Sequence, residues 1–233
     1  MSLPFFYCEF IDNAATTFVL NEDTSKHIVQ VLRMKVGSLL QLTDGKGCLL
    51  TAEITDDHKK SCVVKKTAID FIKAPSNEIT IAISLIKNAS RFEWFLEKTT
   101  EVGVTKVIPL LCDRTEKQYF RMDRMKGILV SAMLQSKQTW LPVLQEPTTF
   151  KLVVTSSAAT SKYIAHCEDD QSKLPLASIK NDSSSIILIG PEGDFTDDEI
   201  TLAKSNNYLP VSLGETRLRT ETAGVVASVL LNI

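Results

Sequence analysis

Hydrophobic and polar residues follow two different patterns along the chain. Up to about residue 72, short apolar runs are separated by turn residues, which is typical of β-strands. Strands are predicted at residues 5–10, 38–43, 48–54 and 61–71. The Asp-Gly pair at residues 44–45 has the chemistry of a hairpin turn. Several short strands around one hairpin predict a small barrel-like domain.

One stretch in this region, residues 21–33, has the spacing of an amphipathic helix. Its predicted inner face consists of His27, Ile28, Val31 and Leu32. A polar segment with a proline, residues 73–77, then predicts a boundary between domains at 1–72 and 78–233.

From residue 78 onward, predicted strands and helices alternate, which indicates an α/β domain with a largely parallel sheet. The predicted strands are 79–86, 106–111, 162–167, 186–189 and 209–213, and the predicted helices are 90–103, 123–138, one near 150, 196–206 and 221–231. Capping boxes are predicted at Ser90 with Glu93 and at Thr196 with Glu199. Residues 168–185 are predicted to be a polar loop.

Composition narrows the class of protein. The 233 residues are 44% hydrophobic and carry a formal net charge of -2, so the chain is globular and does not coat nucleic acid by bulk charge. Five scattered cysteines without CxxC spacing predict reduced thiols, several of them buried, and the three histidines are too dispersed for a metal site. The N-terminus lacks signal-peptide character, and no apolar run is long enough to span a membrane, which predicts a cytoplasmic protein.

Two strand-to-helix connections could carry chemistry. The first is Gly190-Pro191-Glu192-Gly193, and the second runs from Leu213-Gly214 through Arg217 and Arg219. Glycines at the carboxyl ends of parallel strands let the backbone approach a ligand, and two such ends would share one pocket. Neither connection matches a dinucleotide or Walker motif. The alternative for the first is an ordinary turn, and the alternative for the second is an ordinary strand-loop-helix connection with solvated arginines.

The motifs taken together resemble the RsmE family of methyltransferases. Residues 190–199, Gly-Pro-Glu-Gly-Asp-Phe-Thr-Asp-Asp-Glu, are followed by Leu213-Gly214 and by Leu-Arg-Thr-Glu-Thr-Ala at 218–223, as in the C-terminal half of that family. Upstream matches in the same order are Lys98 with residues 101–104, Arg114, Gln135-Ser136, His166, and the helix around His27 and Arg33. The ordered set covers essentially the whole chain.

This resemblance implies an N-terminal PUA-like β-barrel and a SPOUT-type α/β domain with a C-terminal deep trefoil knot, in a homodimer. It implies S-adenosylmethionine as cofactor and N3 of a uridine in 16S rRNA of the small ribosomal subunit as the acceptor. The implied cofactor-binding residues are His166, Ile189, Gly190, Pro191, Glu192, Gly193, Leu213, Gly214, Leu218, Arg219, Thr222 and Ala223. His166 has an alternative role as a structural residue at a strand end.

The expected reaction assigns two side chains. Arg219 is expected to stabilise negative charge on the uracil carbonyl oxygens when N3 loses its proton. Glu192 is a candidate base, although accepting backbone hydrogen bonds in a tight turn is the alternative role. The expected RNA-binding residues are Arg33, Lys35, Lys87, Arg91, Arg114 and Lys117. The aromatic side chains of Phe92, Trp94 and Phe95 are expected in the core.

The chain departs from the family pattern at Leu134, at Gln138 and at Thr216-Arg217, which affects the expected substrate contacts more than the cofactor pocket. Two other functions remain open at this point. One is a SPOUT enzyme that methylates a ribose 2'-oxygen, and the other is a non-catalytic RNA-binding module. A dinucleotide-dependent dehydrogenase is disfavoured because no glycine fingerprint is present.

Overall fold

The computed structural model describes residues 3–12, 14–116, 119–168, 172–179 and 184–233. The chain divides into two compact units. The first contains Met1–Ala74 and Met133–Leu141, and the second contains Pro75–Ala132 and Pro142–Ile233. Residues 133–141 therefore belong with the N-terminal unit, although they follow the start of the α/β region in sequence.

The described part of the first unit is built on one five-stranded sheet with the order β1-β3-β4-β5-β2. The strands are β1 (Phe5–Tyr7), β2 (Thr17–Val19), β3 (Leu39–Thr43), β4 (Cys48–Asp56) and β5 (Val63–Phe71). The predicted hairpin is confirmed, because β3 and β4 pair antiparallel and both glycines of the turn have positive φ. Alternate side chains of β4 are buried, and they form this unit's core with the inner residues of β3.

The helix of the first unit differs from its prediction. Asn21 caps α1 (Glu22–Lys26), and a π-helix follows over His27–Val31. Ile28 is fully buried as expected, but His27 is exposed, and Val31 and Leu32 are 67% and 44% exposed. The predicted inner face is wrong at these positions because the π-helix bonds residue i to i+5, so the 3.6-residue periodicity no longer sets the buried face.

The second unit is an α/β fold around a sheet of eight described strands with the order β11-β13-β10-β12-β6-β7-β8, and β9 pairs with β7. Neighbouring strands pair parallel, as predicted. The strands are β6 (Glu78–Ser84), β7 (Lys106–Leu111), β8 (Val143–Leu144), β9 (Thr148–Thr149), β10 (Ser161–Ala165), β11 (Leu174–Pro175), β12 (Ser184–Ile189) and β13 (Leu209–Ser212).

The α-helices that follow α1 are α2 (Ala89–Val102), α3 (Met122–Gln135), α4 (Phe150–Ser156), α5 (Asp197–Ser205) and α6 (Thr220–Asn232). The capping box at Thr196 is confirmed, with Glu199 bonding back to the cap. The capping box at Ser90 is wrong: Asn88 caps α2 by accepting from the backbone N–H of Ser90. Glu93 then lies beyond the first turn, where its carboxylate pairs with Arg124 instead.

The polar segment at 168–185 is only partly a loop. It contains β11 and a short 3-10 helix, Leu176–Ser178, in which Leu176 is fully buried. The loop prediction is wrong there because β11 forms an edge strand beside β13 that needs only two residues. Three of the five cysteines, Cys48, Cys62 and Cys112, are buried as expected. Within the described residues, no helix has the length and apolar character needed to cross a membrane.

Candidate functional site

Three adjacent parallel strands, β13, β10 and β12, end at the same edge of the second sheet. Their last residues are Ser212, Ala165 and Ile189. Because the carboxyl ends of parallel strands point to one edge, the connections that follow them converge there. The two glycine-containing segments singled out from the sequence are two of these connections.

The first connection is tied down by Asp194. Residues 191–194 form a turn in which the N–H of Asp194 donates to the carbonyl of Pro191 over 2.9 Å. The carboxylate of Asp194 accepts from the backbone N–H of Cys167 at 2.7 Å and of Phe195 at 2.9 Å. Asp194 itself has a left-handed φ of 62°, which Asp tolerates better than most residues. This side chain therefore joins the loops that follow β10 and β12.

Arg114 holds the same connection from another side. Its guanidinium donates to the carbonyl of Gly193 at 2.8 Å and to that of Phe195 at 3.2 Å. Phe195 is fully buried and packs against Phe150 in the core of the unit. The loop is thus anchored by a buried ring and by hydrogen bonds at both ends, so its backbone is well placed before any ligand arrives.

The connection after β13 requires its glycine. Gly214 has a φ of 142°, and a Cβ built there would meet no protein atom within 4 Å. Since L-residues rarely adopt this φ, the requirement is conformational and not steric. Ser212 closes the turn, because its hydroxyl accepts from the N–H of Gly214 at 3.2 Å and donates to the carbonyl of Gly214 at 3.0 Å.

The start of α6 forms the third wall. Arg219 occupies the N-cap position, and its carbonyl accepts from the N–H of Ala223 at 2.8 Å. Thr220 and Glu221 are buried, whereas the side chains of Arg217 and Arg219 are exposed. Glu221, 7% exposed, faces the guanidinium of Arg91 on α2 across 3.6 Å. A carboxylate in the first turn is favoured by the helix dipole.

These elements enclose a cavity of about 400 Å³, called here the glycine-loop cavity. It brings together seven of the predicted cofactor-binding residues and one predicted RNA-binding residue, Arg91. Its lining consists of Arg91, Ala165, Cys167, Ile189, Gly190, Pro191, Glu192, Asp194, Arg217, Leu218, Arg219, Thr220, Glu221 and Ala223. Three carboxylates and three guanidiniums thus line one cavity, which gives it neighbouring positive and negative groups.

A second cavity of about 460 Å³, called here the Lys173 cavity, lies beside the first. Its lining consists of Ala165, His166, Cys167, Lys173, Val211, Ser212, Leu213, Gly214, Glu215, Thr216, Arg217, Leu218 and Ala223. Ala165, Cys167, Arg217, Leu218 and Ala223 line both cavities. The two cavities are therefore contiguous, and together they fall within the size range of small-molecule sites.

Two predicted cofactor-binding residues lie outside these two cavities. Gly193 lines neither cavity, and its carbonyl is occupied by Arg114. Thr222 lines a third cavity of about 490 Å³, together with Ser90, Arg91, Trp94, Arg219 and Glu221. This third cavity is called here the Trp94 cavity.

The prediction that Trp94 is a core residue is wrong. Trp94 is 41% exposed, whereas Phe92 and Phe95 on the same helix are 2% and 0% exposed. Helical spacing did not predict which of these three side chains would be exposed. Successive residues on a helix differ in direction by 100°, so a broad apolar face can bury two of the three while the third points to solvent.

The predicted RNA-binding residues are in different environments. Lys35 pairs with Asp57 at 3.2 Å, and Lys87 pairs with Glu116 at 3.0 Å. Arg33 is exposed and has a positive φ of 54°. Arg91 lines two of the cavities, Arg114 bonds the loop carbonyls, and Lys117 lies outside the described residues. For Glu192, the backbone N–H of Lys87 lies 3.4 Å from a carboxylate oxygen.

Several lining residues were not predicted as site residues, among them Ala165, Cys167, Lys173, Asp194 and Glu221. Asp194 and Glu221 lie within the motif segments, and their acidic side chains next to glycine and arginine were a usable signal. Ala165, Cys167 and Lys173 carried none, since they reach the site only through the neighbouring positions of β10, β12 and β13.

A parallel α/β unit with a ligand-sized, charge-lined site at its strand ends, preceded by a separate β-sheet unit, defines a two-domain α/β binding protein or enzyme. Residues 73–232 match a family model described as an RNA methyltransferase domain, and residues 20–67 match an RNA methyltransferase PUA domain. The chain belongs to the RsmE family of RNA methyltransferases.

Relatives and solved structures agree with this family. The chain is 31% identical over 222 residues to the ribosomal RNA small subunit methyltransferase E of Synechocystis sp., covering 93% of this chain and 73% of the relative. A "probable rRNA-methyltransferase from Porphyromonas gingivalis" is 36% identical, with a TM-score of 0.90 over 97% of this chain and 95% of that one. A ribosomal RNA small subunit methyltransferase E from Neisseria gonorrhoeae, bound to S-adenosyl methionine, is 26% identical, with a TM-score of 0.87 over 97% and 95%.

Proposed function

We propose that this chain transfers a methyl group from S-adenosylmethionine to N3 of a uridine in 16S rRNA of the small ribosomal subunit. The observation that carries the proposal is the pair of contiguous cavities at the strand ends, formed by the three segments that resemble the RsmE family. A relative with this overall fold holds S-adenosyl methionine, and relatives at about 30% identity are named small-subunit rRNA methyltransferases. Both the cofactor and the substrate class follow from these relatives.

The proposal extends to the architecture. We assign residues 1–72 to a PUA-like barrel that binds RNA and residues 78–233 to a SPOUT domain whose C-terminal segment forms a trefoil knot. In the sheet, β10 lies between β12 and β13, although β13 follows both of them in sequence. This strand order supports a C-terminal segment whose path through the sheet does not follow sequence order. The chain is further proposed to act in the cytoplasm as a homodimer. Size-exclusion chromatography with light scattering can measure its oligomeric state.

The cavity lining fits the proposed cofactor. S-adenosylmethionine carries a sulfonium, an ammonium and a carboxylate, so it needs both signs of charge close together. Glu192, Asp194 and Glu221 supply negative charge in the glycine-loop cavity, and the guanidiniums there supply positive charge. The backbone around Gly190 and Gly214 can approach the ligand closely because no side chain intervenes.

The protein's contribution to the reaction is position and electrostatics. The cofactor, when bound, supplies a methyl group that is already activated by its positive sulfur, so no metal is needed for transfer. The loops hold the acceptor in line with that methyl and exclude water. The Arg219 guanidinium, exposed at the rim and shared by two cavities, donates to the uracil oxygens as N3 loses its proton.

Glu192 is proposed as the residue that accepts the N3 proton. It lines the glycine-loop cavity, and one of its carboxylate oxygens accepts from the backbone N–H of Lys87 at a long 3.4 Å. A Glu192→Gln variant separates the two roles, since glutamine keeps the hydrogen bond but cannot act as a base. Loss of turnover with unchanged cofactor affinity supports the base, whereas unchanged turnover assigns Glu192 to the turn.

RNA contacts are proposed at Arg33, Lys35, Lys87, Arg91, Arg114 and Lys117. Arg91 has the best support, because it lines the glycine-loop cavity beside Arg219. The side chains of Lys35 and Lys87 are 73% and 78% exposed, and each pairs with a carboxylate that is itself partly or largely exposed, which RNA phosphates can replace. Replacing either lysine should lower RNA affinity most at low salt.

The proposed reaction is tested by product analysis. The purified protein is incubated with labelled S-adenosylmethionine and small ribosomal subunits from a strain lacking this modification, and the RNA is digested to nucleosides. The expected product is 3-methyluridine, which Arg219→Ala should not form at saturating substrate. A 2'-O-methylated nucleoside would instead identify a ribose methyltransferase, and no transfer with no cofactor binding would identify a non-catalytic RNA-binding module.

A further inference from the structure

Trp94 is an exposed indole on a helix that otherwise buries its aromatic rings. Phe92 and Phe95 are buried on either side of it in sequence, while 41% of Trp94 remains exposed. Exposing a side chain of this size forgoes one of the largest apolar burial gains available to a residue. An exposed tryptophan beside a cavity is therefore a candidate contact surface.

The surroundings of Trp94 are charged. Arg91 and Ser90 lie three and four residues before it, on the same side of α2, and both line the Trp94 cavity. Arg219, at the N-cap of α6, lines the cavity from the other helix. The cavity thus combines one flat aromatic surface with two guanidiniums, and the Arg91 guanidinium pairs with the buried carboxylate of Glu221 at 3.6 Å.

The Trp94 cavity is continuous with the glycine-loop cavity. Arg91, Arg219 and Glu221 line both of them. A nucleotide placed in the Trp94 cavity would therefore lie next to the proposed methyl donor, with Arg219 within reach of both. No other exposed aromatic side chain contributes to the three cavities described here.

We propose that Trp94 is the stacking platform for an unpaired RNA base at the methylation site, and that it helps to determine which nucleotide is accepted. This inference rests on the proposed function. Proteins that read single-stranded RNA stack unpaired bases on aromatic rings, and arginines hold the adjoining phosphates or base edges. Two arginines against one buried carboxylate favour an anionic nucleotide over a second protein surface as the occupant.

Intrinsic fluorescence tests the stacking directly, because the chain has only two tryptophans, Trp94 and Trp140. The probe is a single-stranded uridylate decamer, titrated into wild-type protein and into Trp94→Phe. Stacking should quench the wild-type emission, and the quenching should be absent in Trp94→Phe, where only Trp140 emits. Equal quenching of both proteins would place the RNA contact at Trp140 and overturn the proposal.

Kinetics with small ribosomal subunits test its role in recognition. Trp94→Leu keeps an apolar side chain but removes the flat ring, and should raise KM for the subunit by about 5- to 150-fold, the equivalent of the stacking of one base. Trp94→Phe should stay within a few-fold of wild type, and the Kd for S-adenosylmethionine should not change in either variant. Tyr119→Leu, which removes an exposed aromatic outside the cavities, is the matched control and should behave as wild type.

The alternative occupant is a second copy of the chain. Light scattering on Trp94→Leu decides this, since a dimer contact would lower the measured mass and stacking would leave it unchanged. A lowered mass, or an unchanged KM, overturns the proposal. If the wild-type protein forms no methylated nucleoside, the proposed function fails, and the decamer titration still decides whether Trp94 stacks on RNA.

Discussion

Replacing Gly224 with alanine should destabilise the second unit, although alanine is the better helix former. Gly224 lies in the first half of α6, where that helix packs on α2. A Cβ at this position would lie 2.5 and 2.8 Å from two ring carbons of Phe95 and 2.9 Å from Cδ1 of Ile83. Normal carbon contacts are about 3.5–4.0 Å, so the added methyl overlaps by about 1 Å.

Phe95 has little freedom to move away. It is fully buried, and its ring packs against Phe92 at a centroid distance of 5.6 Å. Forcing one extra methyl group into such a core costs about 1–3 kcal/mol, while the helix propensity of alanine returns about 0.8–1 kcal/mol. The net expectation is a loss of up to about 2 kcal/mol, or up to roughly 8 °C in Tm.

Gly127 provides the control. It lies in α3, is exposed, and a Cβ there would meet no atom within 4 Å. Gly127→Ala should therefore raise stability by up to about 1 kcal/mol. Thermal unfolding followed by circular dichroism, and urea unfolding at one temperature, compare the two variants with wild type. If Gly224→Ala is as stable as Gly127→Ala, the packing argument for α6 on α2 is refuted.

Three further predictions concern the same unit. Thr196→Ala removes the capping hydroxyl of α5 and should cost about 1 kcal/mol in urea unfolding, whereas no measurable loss would show that the cap is dispensable. Asp194→Ala removes the acceptor for two backbone N–H groups and should weaken S-adenosylmethionine binding in calorimetry more than Asp194→Asn does. Burial raises the pKa of the Cys112 thiol to about 12, so at pH 8 Cys112 should be alkylated only after unfolding. Exposed Cys167, which lines two of the cavities, should react in the native protein and be protected by S-adenosylmethionine. Rapid labelling of Cys112 in the native protein would contradict this.

Much of the second unit could be predicted because local signals and the final structure agree there. The continuous apolar run before Gly190 predicts a buried strand, and Thr196 with Glu199 predicts the start of α5. The convergence of the glycine connections followed from the general geometry of parallel sheets. The sequence did not provide the strand order that places β10 between β12 and β13, and this order brings Ala165, Cys167 and Lys173 to the cavities.

The errors have identifiable physical causes. The π-helix shifted the buried face away from Val31 and Leu32, and a sequence pattern based on 3.6 residues per turn cannot register such a change. Asn88 caps α2 in place of Ser90, because both residue types make good caps and they lie only two residues apart. Helical spacing with Phe92 and Phe95 predicts Trp94 in the core, but its ring lines a cavity and is 41% exposed.

Isothermal titration with S-adenosylmethionine tests most directly whether the strand-end cavities hold the methyl donor. The wild-type protein should bind one equivalent per chain. Ala223→Leu adds three carbon atoms where the two cavities meet and should abolish or strongly weaken binding without lowering Tm. Ala158→Leu, an exposed position that lines none of the described cavities, should bind as wild type. Unchanged affinity in a folded Ala223→Leu protein would contradict the assignment of this site.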